Sequence, residues 1–370
     1  MIKILHAADF HLDSPFDALP TAKAAQRRTE QRDLLENLAD TANREGVDLV
    51  LLSGDLLDSD KSYFETGDAL IRAFGKISVP IFISPGNHDY YHKYSPWRVL
   101  KLPANVHVFT SPTPESVVLE SLGVTVWGAA FTANRMPGLL SDFPPIAERK
   151  QIHVMALHGT IGNSGDSVYN PMTEQQIAAT GLNYLALGHE HSFSGLQKAG
   201  DTYYAYSGCP EGRGFDETGA KGVILAEVRR YETTARFVNL DGRQYHHITV
   251  DLSETGDEDS LAAIVSAITA ALPEDTRRDI YRLTLSGAFG GRLDLPALGD
   301  LLADRFFHLE LRDRTQLRRN IWAGAEEDTL RGLFLRKMRT QYDAAIESGD
   351  SDVQDEIVLA VRYALVAMGT

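Results

Sequence analysis

Five apolar segments of the sequence each end in a small group of acidic, amide or imidazole residues. The segments are IKILHAADFH, VDLVLLSGDLLD, VPIFISPGNHD, IHVMALHG and YLALGHEH. Nearly continuous β-branched and leucine residues are typical of strands buried on both faces. Helix-type spacing lies between several of these segments, and strands alternating with helices predict a layered α/β fold. Since the carboxyl ends of such strands meet at one edge of a sheet, the polar residues should converge there.

The size and charge of the chain limit the classes of protein that it can represent. At 370 residues it is predicted to contain two or three domains. A net charge of −15 argues against coating nucleic acid by bulk charge, although a local basic groove stays open. Cys209 is the only cysteine, which excludes an intrachain disulfide and indicates a reducing compartment. Without a signal-peptide pattern or a membrane-length apolar segment, the chain is predicted to be cytoplasmic and not membrane-bound.

The sequence predicts three successive regions. Residues 1–243 carry the strand-end motifs, and residues 244–315 have the pattern of a small β-α-β-α-β capping unit. Residues 316–370 contain two amphipathic helix patterns joined by ESGDSD. Their apolar positions are Leu330, Leu333, Phe334, Met338 and Tyr342, then Val353, Ile357, Val361 and Leu365. The apolar arc is wider than one helix seam needs, because it includes Leu333, Phe334, Val358, Leu359 and Val366. The hairpin is therefore a candidate for docking a partner, and packing on the capping unit is the alternative.

The residue types at the strand ends suit divalent transition metals. Carboxylate, imidazole and amide ligands together favour Mn²⁺, Fe²⁺ or Zn²⁺ over Mg²⁺ or Ca²⁺, which prefer oxygen alone. Asp-x-His and His-x-His place two side chains on one side of an extended backbone. One such pair alone is commonly a turn or a hydrogen-bonded histidine, but the ordered set of five indicates a site for two ions. The Asp55 carboxylate can bridge ions roughly 3.5–4 Å apart. The sequence does not distinguish whether His6, on the first predicted strand, forms a hydrogen bond to one of the metal ligands.

The order D-x-H, GDxxD, GNHD, H and GHxH, over residues 9–191, resembles that of the calcineurin-like metallophosphoesterases. The resemblance implies a four-layer α/β/β/α sandwich with a small α/β capping domain, C-terminal helices and a dinuclear centre. It assigns one ion to Asp9, His11, Asp55 and His191. It assigns the other ion to Asp55, Asn87, His158 and His189. It places His88 beside the leaving group as a proton donor, and Asp89 is expected to accept from the other nitrogen of the His88 ring.

Within this family the motif spelling is similar to that of the SbcD-type DNA repair exonucleases, in particular the YhaO-like branch. The segment SGCPEGRGFDETGAKGVILAEV adds to that similarity. The resemblance implies a Mn²⁺-dependent DNA exonuclease or endonuclease that acts with an SbcC-like ATPase, and a homodimer stays open. Asp13 departs from the glycine that many SbcD proteins carry, so an extra carboxylate is expected near the first ion. The alternative is a small-molecule phosphatase or nucleotide phosphodiesterase on the same dinuclear core.

Two segments bear on the substrate. YYHKYSPWRVLK interleaves aromatic and basic residues beside the predicted site, and Tyr91, Lys93 and Tyr94 are predicted to bind a nucleotide strand. Stacking on such rings contributes about 1–3 kcal/mol per base. The alternative for this segment is the aromatic-packed start of a helix. A second segment, LRDRTQLRR, is either a DNA contact or a solvated face, through Arg312, Arg314, Arg318 and Arg319.

Overall fold

The computed structural model describes residues 1–141, 143–146, 150–162, 165, 167–255, 261–289, 293–317 and 321–368. The strands are β1 (Ile2–Ala7), β2 (Leu49–Leu52), β3 (Ile81–Ile83), β4 (Val106–Val108), β5 (Glu115–Leu119), β6 (Val124–Gly128), β7 (Ile152–His158), β8 (Tyr184–Gly188), β9 (Gln197–Ala199), β10 (Thr202–Tyr206), β11 (Gly222–Val228), β12 (Thr233–Asn239), β13 (Tyr245–Asp251), β14 (Ile280–Ser286), β15 (Ala288–Phe289), β16 (His308–Asp313) and β17 (Gln316–Leu317). The α-helices are α1 (Thr21–Glu45), α2 (Phe64–Lys76), α3 (Pro96–Val99), α4 (Glu174–Thr180), α5 (Leu261–Ala271), α6 (Leu295–Leu302), α7 (Leu330–Ser348) and α8 (Ser351–Ala367), and short 3₁₀ turns cover Glu120–Leu122 and Ala303–Arg305.

The chain divides into two compact units. The first consists of Met1–His247, Glu274–Arg282 and Ala303–Glu310. The second consists of Ile248–Pro273, Leu283–Leu302 and Leu311–Thr370. The later strands form a three-stranded sheet, β13-β14-β16, and a two-stranded sheet, β15-β17. The predicted boundaries after residues 243 and 315 stay predictions.

Two six-stranded sheets form the first unit, in the orders β12-β11-β1-β2-β3-β4 and β5-β6-β7-β8-β10-β9. Strands β1 to β4 run parallel to their neighbours in that series, as do β6, β7, β8 and β10. A hydrophobic core lies between the sheets, and further clusters join one sheet to α1 and α2 and the other to α4. The predicted α/β/β/α sandwich is therefore confirmed.

Strand β1 shows why these apolar segments form central strands. Ile2 and Ile4 belong to the core between the two sheets, whereas Leu5 and Ala7 belong to the cluster under α1 and α2. A strand covered on both faces needs apolar residues at successive positions, which is why the segment lacks a polar–apolar alternation. The predicted helix after β1 also forms, and it ends at Gly46. That glycine has φ +60° and donates its N–H to the last turn, a common helix end.

A buried ion-pair network fixes the segment between β10 and β11 against α1. The guanidinium of Arg27 is fully buried, and its Nη1 lies 2.7 Å from Glu211 Oε1 and 2.8 Å from Glu30 Oε2. The N–H of Arg243 also donates to Glu211 Oε1, at 2.9 Å. Loss of one partner from such a buried pair costs about 3–5 kcal/mol, because the other charge is left uncompensated. The segment that follows Glu211 therefore starts from a fixed point.

The second unit contains the predicted helical hairpin. Helices α7 and α8 pack through Leu335, Ala345, Ile357 and Val361, and the turn between them includes Gly349 with φ +73°. The predicted stripe of α7 needs a correction at its start. Leu330 is 79% exposed, because Leu335 takes the buried position in that turn. Leu333 is 47% exposed, as its place on the surplus part of the predicted arc allows. Arg318, Arg319 and the side chain of Val366 lie outside the described residues. Among the described helices, none has both the length and the apolar character needed to cross a membrane.

Candidate dinuclear metal site

The loops after β1 and β2 run side by side at the carboxyl edge of their sheet. His11 N donates to Asp55 O at 3.0 Å, and Asp58 N donates to Leu12 O at 2.9 Å. Unusual backbone conformations are concentrated here, with φ of +56° at Asp9, +45° at His11 and +50° at Asp55. Non-glycine residues adopt positive φ only where the surroundings hold them there. The backbone thus fixes the direction in which these side chains leave the loops.

Two glycines allow the loops to approach the candidate site. A Cβ atom at Gly86 would lie 2.2 Å from Asp55 Oδ1, and one at Gly54 would lie 2.6 Å from His158 Nδ1. Both distances are far below a van der Waals contact. The glycines of the GD and GN motifs are therefore required for packing around Asp55, in addition to any role in the turns.

The first group of candidate ligands is Asp9, His11 and His191, whose ligand atoms lie within 4.8 Å of one another. The Nε2 atoms of His11 and His191 are 3.2 Å apart. On the far side of each ring, His11 Nδ1 lies 3.1 Å from Asp58 Oδ1 and His191 Nδ1 lies 2.6 Å from Glu217 Oε1. An ionised carboxylate only accepts, so each Nδ1 carries a proton, and in the neutral ring each Nε2 presents a lone pair. Two facing lone pairs are satisfied by a cation placed between them.

Both supporting carboxylates are held in their ionised form. Burial raises the pKa of Glu217, but the hydrogen bonds from His191 and Arg213 outweigh burial and hold that pKa well below its usual range. Burial likewise raises the pKa of Asp58, and the hydrogen bond from His11 more than compensates, so that this pKa is also lowered. The tautomers assigned to His11 and His191 follow from these two charges.

The second group is Asp55, His158 and His189, with Asn87 beside it. His158 Nδ1 donates to the Ser53 carbonyl at 2.9 Å, while His158 Nε2 lies 2.9 Å from Asn87 Oδ1 and 3.3 Å from Asp55 Oδ2. Burial lowers the pKa of His158, but the Asp55 carboxylate outweighs burial and raises it to about 9. A positive charge is therefore favoured beside His158 Nε2, between the oxygen atoms of Asn87 and Asp55.

The two groups meet at the Asp55 carboxylate. Its Oδ2 lies 3.3 Å from His158 Nε2 and 3.8 Å from His11 Nε2. Its Oδ1 accepts from the N–H of His88 at 2.9 Å, which fixes the rotation of the carboxylate. Oδ2 thus faces both groups, as a bridging ligand must.

Burial perturbs three other members of the two groups, Asp9, His11 and His189. Burial raises the pKa of Asp9 to about 7, and burial lowers the pKa of His11 to about 4. Burial lowers the pKa of His189 to about 4 as well, and the charge of His158 adds to that effect. Each of these shifts favours the uncharged form of the side chain, because burial removes the water that would stabilise its charge. A bound cation would compensate for that lost solvation. Both groups therefore fit divalent ions.

A third set, His11, Asp58 and His88, also brings three ligand atoms within 4.8 Å. Its members are already engaged with one another or with the backbone, since His11 Nδ1 pairs with Asp58 Oδ1 and His88 Nδ1 pairs with Asp58 O. Asp58 therefore holds the rings of His11 and His88 in place, and this set is not a further ion site.

His88 lies where the sequence places it, but the partner predicted for its ring is wrong. The exposed imidazole of His88 has its Nδ1 2.9 Å from the carbonyl oxygen of Asp58, which can only accept. The buried Asp89 carboxylate instead accepts backbone N–H groups from Gly86, Asp55, Leu56 and Leu57. Asp89 therefore joins the loop after β3 to the loop after β2, and the Asp58 carbonyl fixes the tautomer of His88.

An open cleft of about 410 Å³ adjoins the second group. Its described lining residues are Asp58, Ser59, Asp60, Asn87, His88, Tyr90, Asn134 and Tyr169. The Tyr169 ring lies 5.2 Å from the His189 ring. The cleft gives a substrate access to Asn87 and His88.

The three predicted substrate-binding residues do not line this cleft together. Tyr91 packs against the core beneath α1 and α2, which corrects its predicted role in binding the substrate. Tyr90 lines the cleft instead. Lys93 lies 4.6 Å from the Tyr94 ring, which is 69% exposed, and both side chains face solvent. They are available to a substrate longer than the cleft.

Two further residues differ from the expectations. Asp13 accepts from the N–H of Tyr63 and from the hydroxyl of Thr66 at the start of α2, and it is not a member of either ligand group. The His6 ring forms hydrogen bonds with the Tyr184 hydroxyl and with the carbonyl of Leu187, both on β8. Neither of these bonds is to the side chain of a candidate metal ligand. Asp58, Arg213 and Glu217 were not predicted. Only the GDxxD spacing and the EGRGFDE segment could have indicated them.

Comparison with known proteins agrees with the geometry of the site. The model of the calcineurin-like phosphoesterase family matches residues 2–193, which include every predicted ligand. The chain belongs to the calcineurin-like phosphoesterase family. Metallophosphoesterases of this family bind a dinuclear metal centre, and the two ligand groups described above are the candidates for it in this chain.

Several curated proteins are similar over most of the chain. It is 28% identical to the metallophosphoesterase YhaO of Bacillus subtilis, covering 77% of this chain and 72% of YhaO. It is 27% identical to the SbcD component of the nuclease SbcCD of Bacillus subtilis, covering 62% of this chain and 66% of SbcD. It is 23% identical to the DNA double-strand break repair protein Mre11 of Saccharolobus solfataricus, covering 68% of this chain and 67% of that protein.

Proposed function

We propose that the protein is a phosphodiesterase with two divalent metal ions that cleaves DNA during repair. The observation that carries the proposal is the convergence of two ligand groups on the Asp55 carboxylate, beside an open cleft. Asp9, His11 and His191 would hold one ion, and Asn87, His158 and His189 the other, with Asp55 shared. The mixture of imidazole, carboxylate and amide ligands favours Mn²⁺, with Fe²⁺ and Zn²⁺ as alternatives.

Two ions at such a site supply Lewis-acid activation of water and of the phosphoester. The protein supplies orientation and a proton. His88 Nδ1 donates to the Asp58 carbonyl, so the imidazolium form of His88 presents its second N–H, at Nε2, to the leaving oxygen. After the proton is transferred, the neutral ring keeps its remaining proton on Nδ1. Asn87 would contribute an oxygen without a charge, so that an ion held there would keep more of its Lewis acidity. Asp89 holds the Asn87–His88 turn against the Asp55 loop through four backbone hydrogen bonds.

DNA is the proposed substrate for two reasons. Relatives of this chain include the nuclease component SbcD and the repair protein Mre11. The cleft also carries the tyrosine rings of Tyr90 and Tyr169, and Lys93 and Tyr94 lie exposed a few residues further along the chain. Aromatic and basic side chains together suit a single strand or a displaced nucleotide.

We expect Mn²⁺-dependent cleavage of at least one form of DNA, together with hydrolysis of bis-p-nitrophenyl phosphate. Linear duplex, hairpin and single-stranded DNA are compared with a nucleotide monoester in the same assay. Since the net charge is −15, DNA binding by the isolated chain should be weak and should fall steeply with salt. Efficient hydrolysis of the monoester with every DNA form intact, even with an SbcC-like ATPase present, would instead favour a small-molecule phosphatase.

The hairpin of α7 and α8 is the proposed docking site for an SbcC-like ATPase, as the family resemblance implies. Leu333, Ile346, Leu359 and Tyr363 are between 47% and 70% exposed on these helices. An amphipathic helix that leaves apolar side chains exposed is suited to a partner's groove or coiled coil.

Charged substitutions on α8 test this docking. We expect the double variant Leu359→Glu, Tyr363→Glu to lose co-purification with an SbcC-like ATPase from the same organism, because two glutamates replace exposed apolar side chains one turn apart. Hydrolysis of bis-p-nitrophenyl phosphate should stay at the wild-type rate. The control variant replaces the exposed acidic residues Asp355 and Glu356 by serine and should still co-purify. Retention of the ATPase by the first variant would contradict the docking proposal.

A further inference from the structure

We propose that Arg213 is a positioning residue that fixes the ring orientation and tautomer of two histidines at once, His11 and His191. The inference rests on the proposed dinuclear site. Arg213 touches neither Asp9 nor the Asp55 carboxylate through the bonds described for it, and it acts through two carboxylates, Asp58 and Glu217.

The geometry links one guanidinium to both rings. Arg213 Nη1 donates to Asp58 Oδ1 at 3.2 Å, and Arg213 Nη2 donates to Glu217 Oε1 at 2.9 Å. These are the same two oxygens that accept from His11 Nδ1 and His191 Nδ1. Each oxygen therefore lies between an arginine N–H and an imidazole N–H. The two rings, in turn, bring their Nε2 atoms to within 3.2 Å of each other.

Arg213 is the cation that pairs with both carboxylates, Asp58 and Glu217. A guanidinium is always charged and presents its donors in a fixed plane, so it can hold two carboxylate oxygens at set positions. Arg213 Nη2 also lies 3.1 Å from His191 Nδ1, but both atoms are donors, and the contact results from their shared acceptor, Glu217 Oε1. Without Arg213, Asp58 and Glu217 lose the partner that fixes the positions of the two oxygens that accept from His11 and His191.

The second ligand group does not depend on this arrangement. His158 is oriented by the carbonyl of Ser53, at the end of β2, and His158 Nε2 meets Asn87 and Asp55. Removal of the Arg213 guanidinium should therefore weaken one ion site and leave the other intact. A general structural role for Arg213 would instead affect both sites.

The backbone at Arg213 is anchored independently of its side chain. Glu211 is held by buried Arg27, and the N–H of Arg213 donates to Glu217 Oε2 at 2.8 Å. A Cβ at Gly212 would lie 2.4 Å from the carbonyl oxygen of Glu217, so the segment is closely folded on itself. Side-chain substitutions at Arg213 can thus be made without removing the bonds that hold the segment in place.

The experiment compares Arg213→Met, Arg213→Lys and the control Arg236→Met, whose arginine is exposed on β12. In metal-free protein, ¹⁵N chemical shifts of the imidazole rings should report Nδ1–H tautomers for His11 and His191. Arg213→Met should lose that uniform tautomer at both rings, with His158 unchanged. Arg213→Lys should retain it at one ring, because a single ammonium group cannot replace both arms of the guanidinium.

A Mn²⁺ titration of the same proteins supplies the second readout. We expect wild type and Arg236→Met to bind two ions, and Arg213→Met to bind one ion normally and the other about 10–100-fold more weakly. Unchanged tautomers and two unchanged affinities in Arg213→Met would overturn the inference. Equal weakening of both sites with a lowered Tm would overturn it too, since that result indicates a general structural role. If wild type itself fails to bind two ions, the proposed function fails, and the tautomer measurement still decides the role of Arg213.

Discussion

Replacement of His88 by leucine is expected to lower kcat by about 10²–10⁴-fold, the usual range for loss of a general acid, while both ions stay bound. The His88 ring is exposed and lines the cleft, so its removal leaves no buried cavity. The N–H of His88 still donates to Asp55 Oδ1 in the variant, which preserves the carboxylate between the two ligand groups. The loss should therefore fall on turnover and not on metal content.

The leaving group distinguishes proton donation from other roles of His88. A p-nitrophenolate leaves without protonation, so His88→Leu should recover much of its rate on bis-p-nitrophenyl phosphate relative to DNA. His107→Leu, at an exposed position on the edge strand β4 and outside the described lining of the cleft, is the matched control and should behave as wild type. Undiminished turnover of DNA by His88→Leu, or an equal loss on both substrates, would refute the role.

The Asp55→Asn variant is expected to weaken both ion sites together, each by at least about 10–100-fold, the effect known for groups one step further from a metal. Asp55 Oδ2 is the atom that faces both His11 and His158. Asparagine keeps the size of the side chain and an oxygen for the N–H of His88, but it removes the shared negative charge. Hydrolysis of every phosphodiester should fall with the metal content.

Elemental analysis and a Mn²⁺ titration measure this effect. Asp48→Asn, which lies at the opposite end of β2 and accepts from the N–H of Lys3, is the control and should retain two ions. Asp55→Asn protein that binds two ions as tightly as wild type would show that the carboxylate does not bridge them.

The ligand positions could be predicted from sequence because each is set locally. Each predicted ligand either ends a strand or lies in the turn directly after one, as do Asp9, Asp55, Asn87, His158 and His189. Parallel strands bring their carboxyl ends to one edge of a sheet. A layered α/β fold was accessible for the same reason, since apolar residues at successive positions require cover on both faces. The four-layer order was implied by the family resemblance. These features depend on short segments and on a general rule of sheet packing.

The groups that orient the ligands could not be predicted in this way. Arg213 lies 155 positions from Asp58, with which it pairs, and Glu217 lies 26 positions from His191. Such contacts depend on how distant loops meet, so the GDxxD and EGRGFDE segments could mark the residues but not their pairing. The same reason explains Asp89, whose neighbour in sequence is His88 but whose partners in space are the backbone groups of other residues.

Side-chain direction outside regular elements was a second source of error. In the segment after β3, Tyr90 lines the cleft and Tyr91 packs inward, because no strand or helix period fixes which of two adjacent rings faces solvent. In α7 the period identified Phe334, Met338 and Tyr342 correctly as packing residues. It could not show that Leu330 is largely exposed, because that depends on which neighbours cover the first turn.

The most direct test of the dinuclear site is anomalous diffraction from crystals of the wild-type protein soaked in Mn²⁺. Two peaks are expected, one beside Asp9, His11 and His191, the other beside Asn87, His158 and His189, with the Asp55 carboxylate adjacent to both. A single peak, or ions bound away from Asp55, would contradict a dinuclear site that shares this carboxylate.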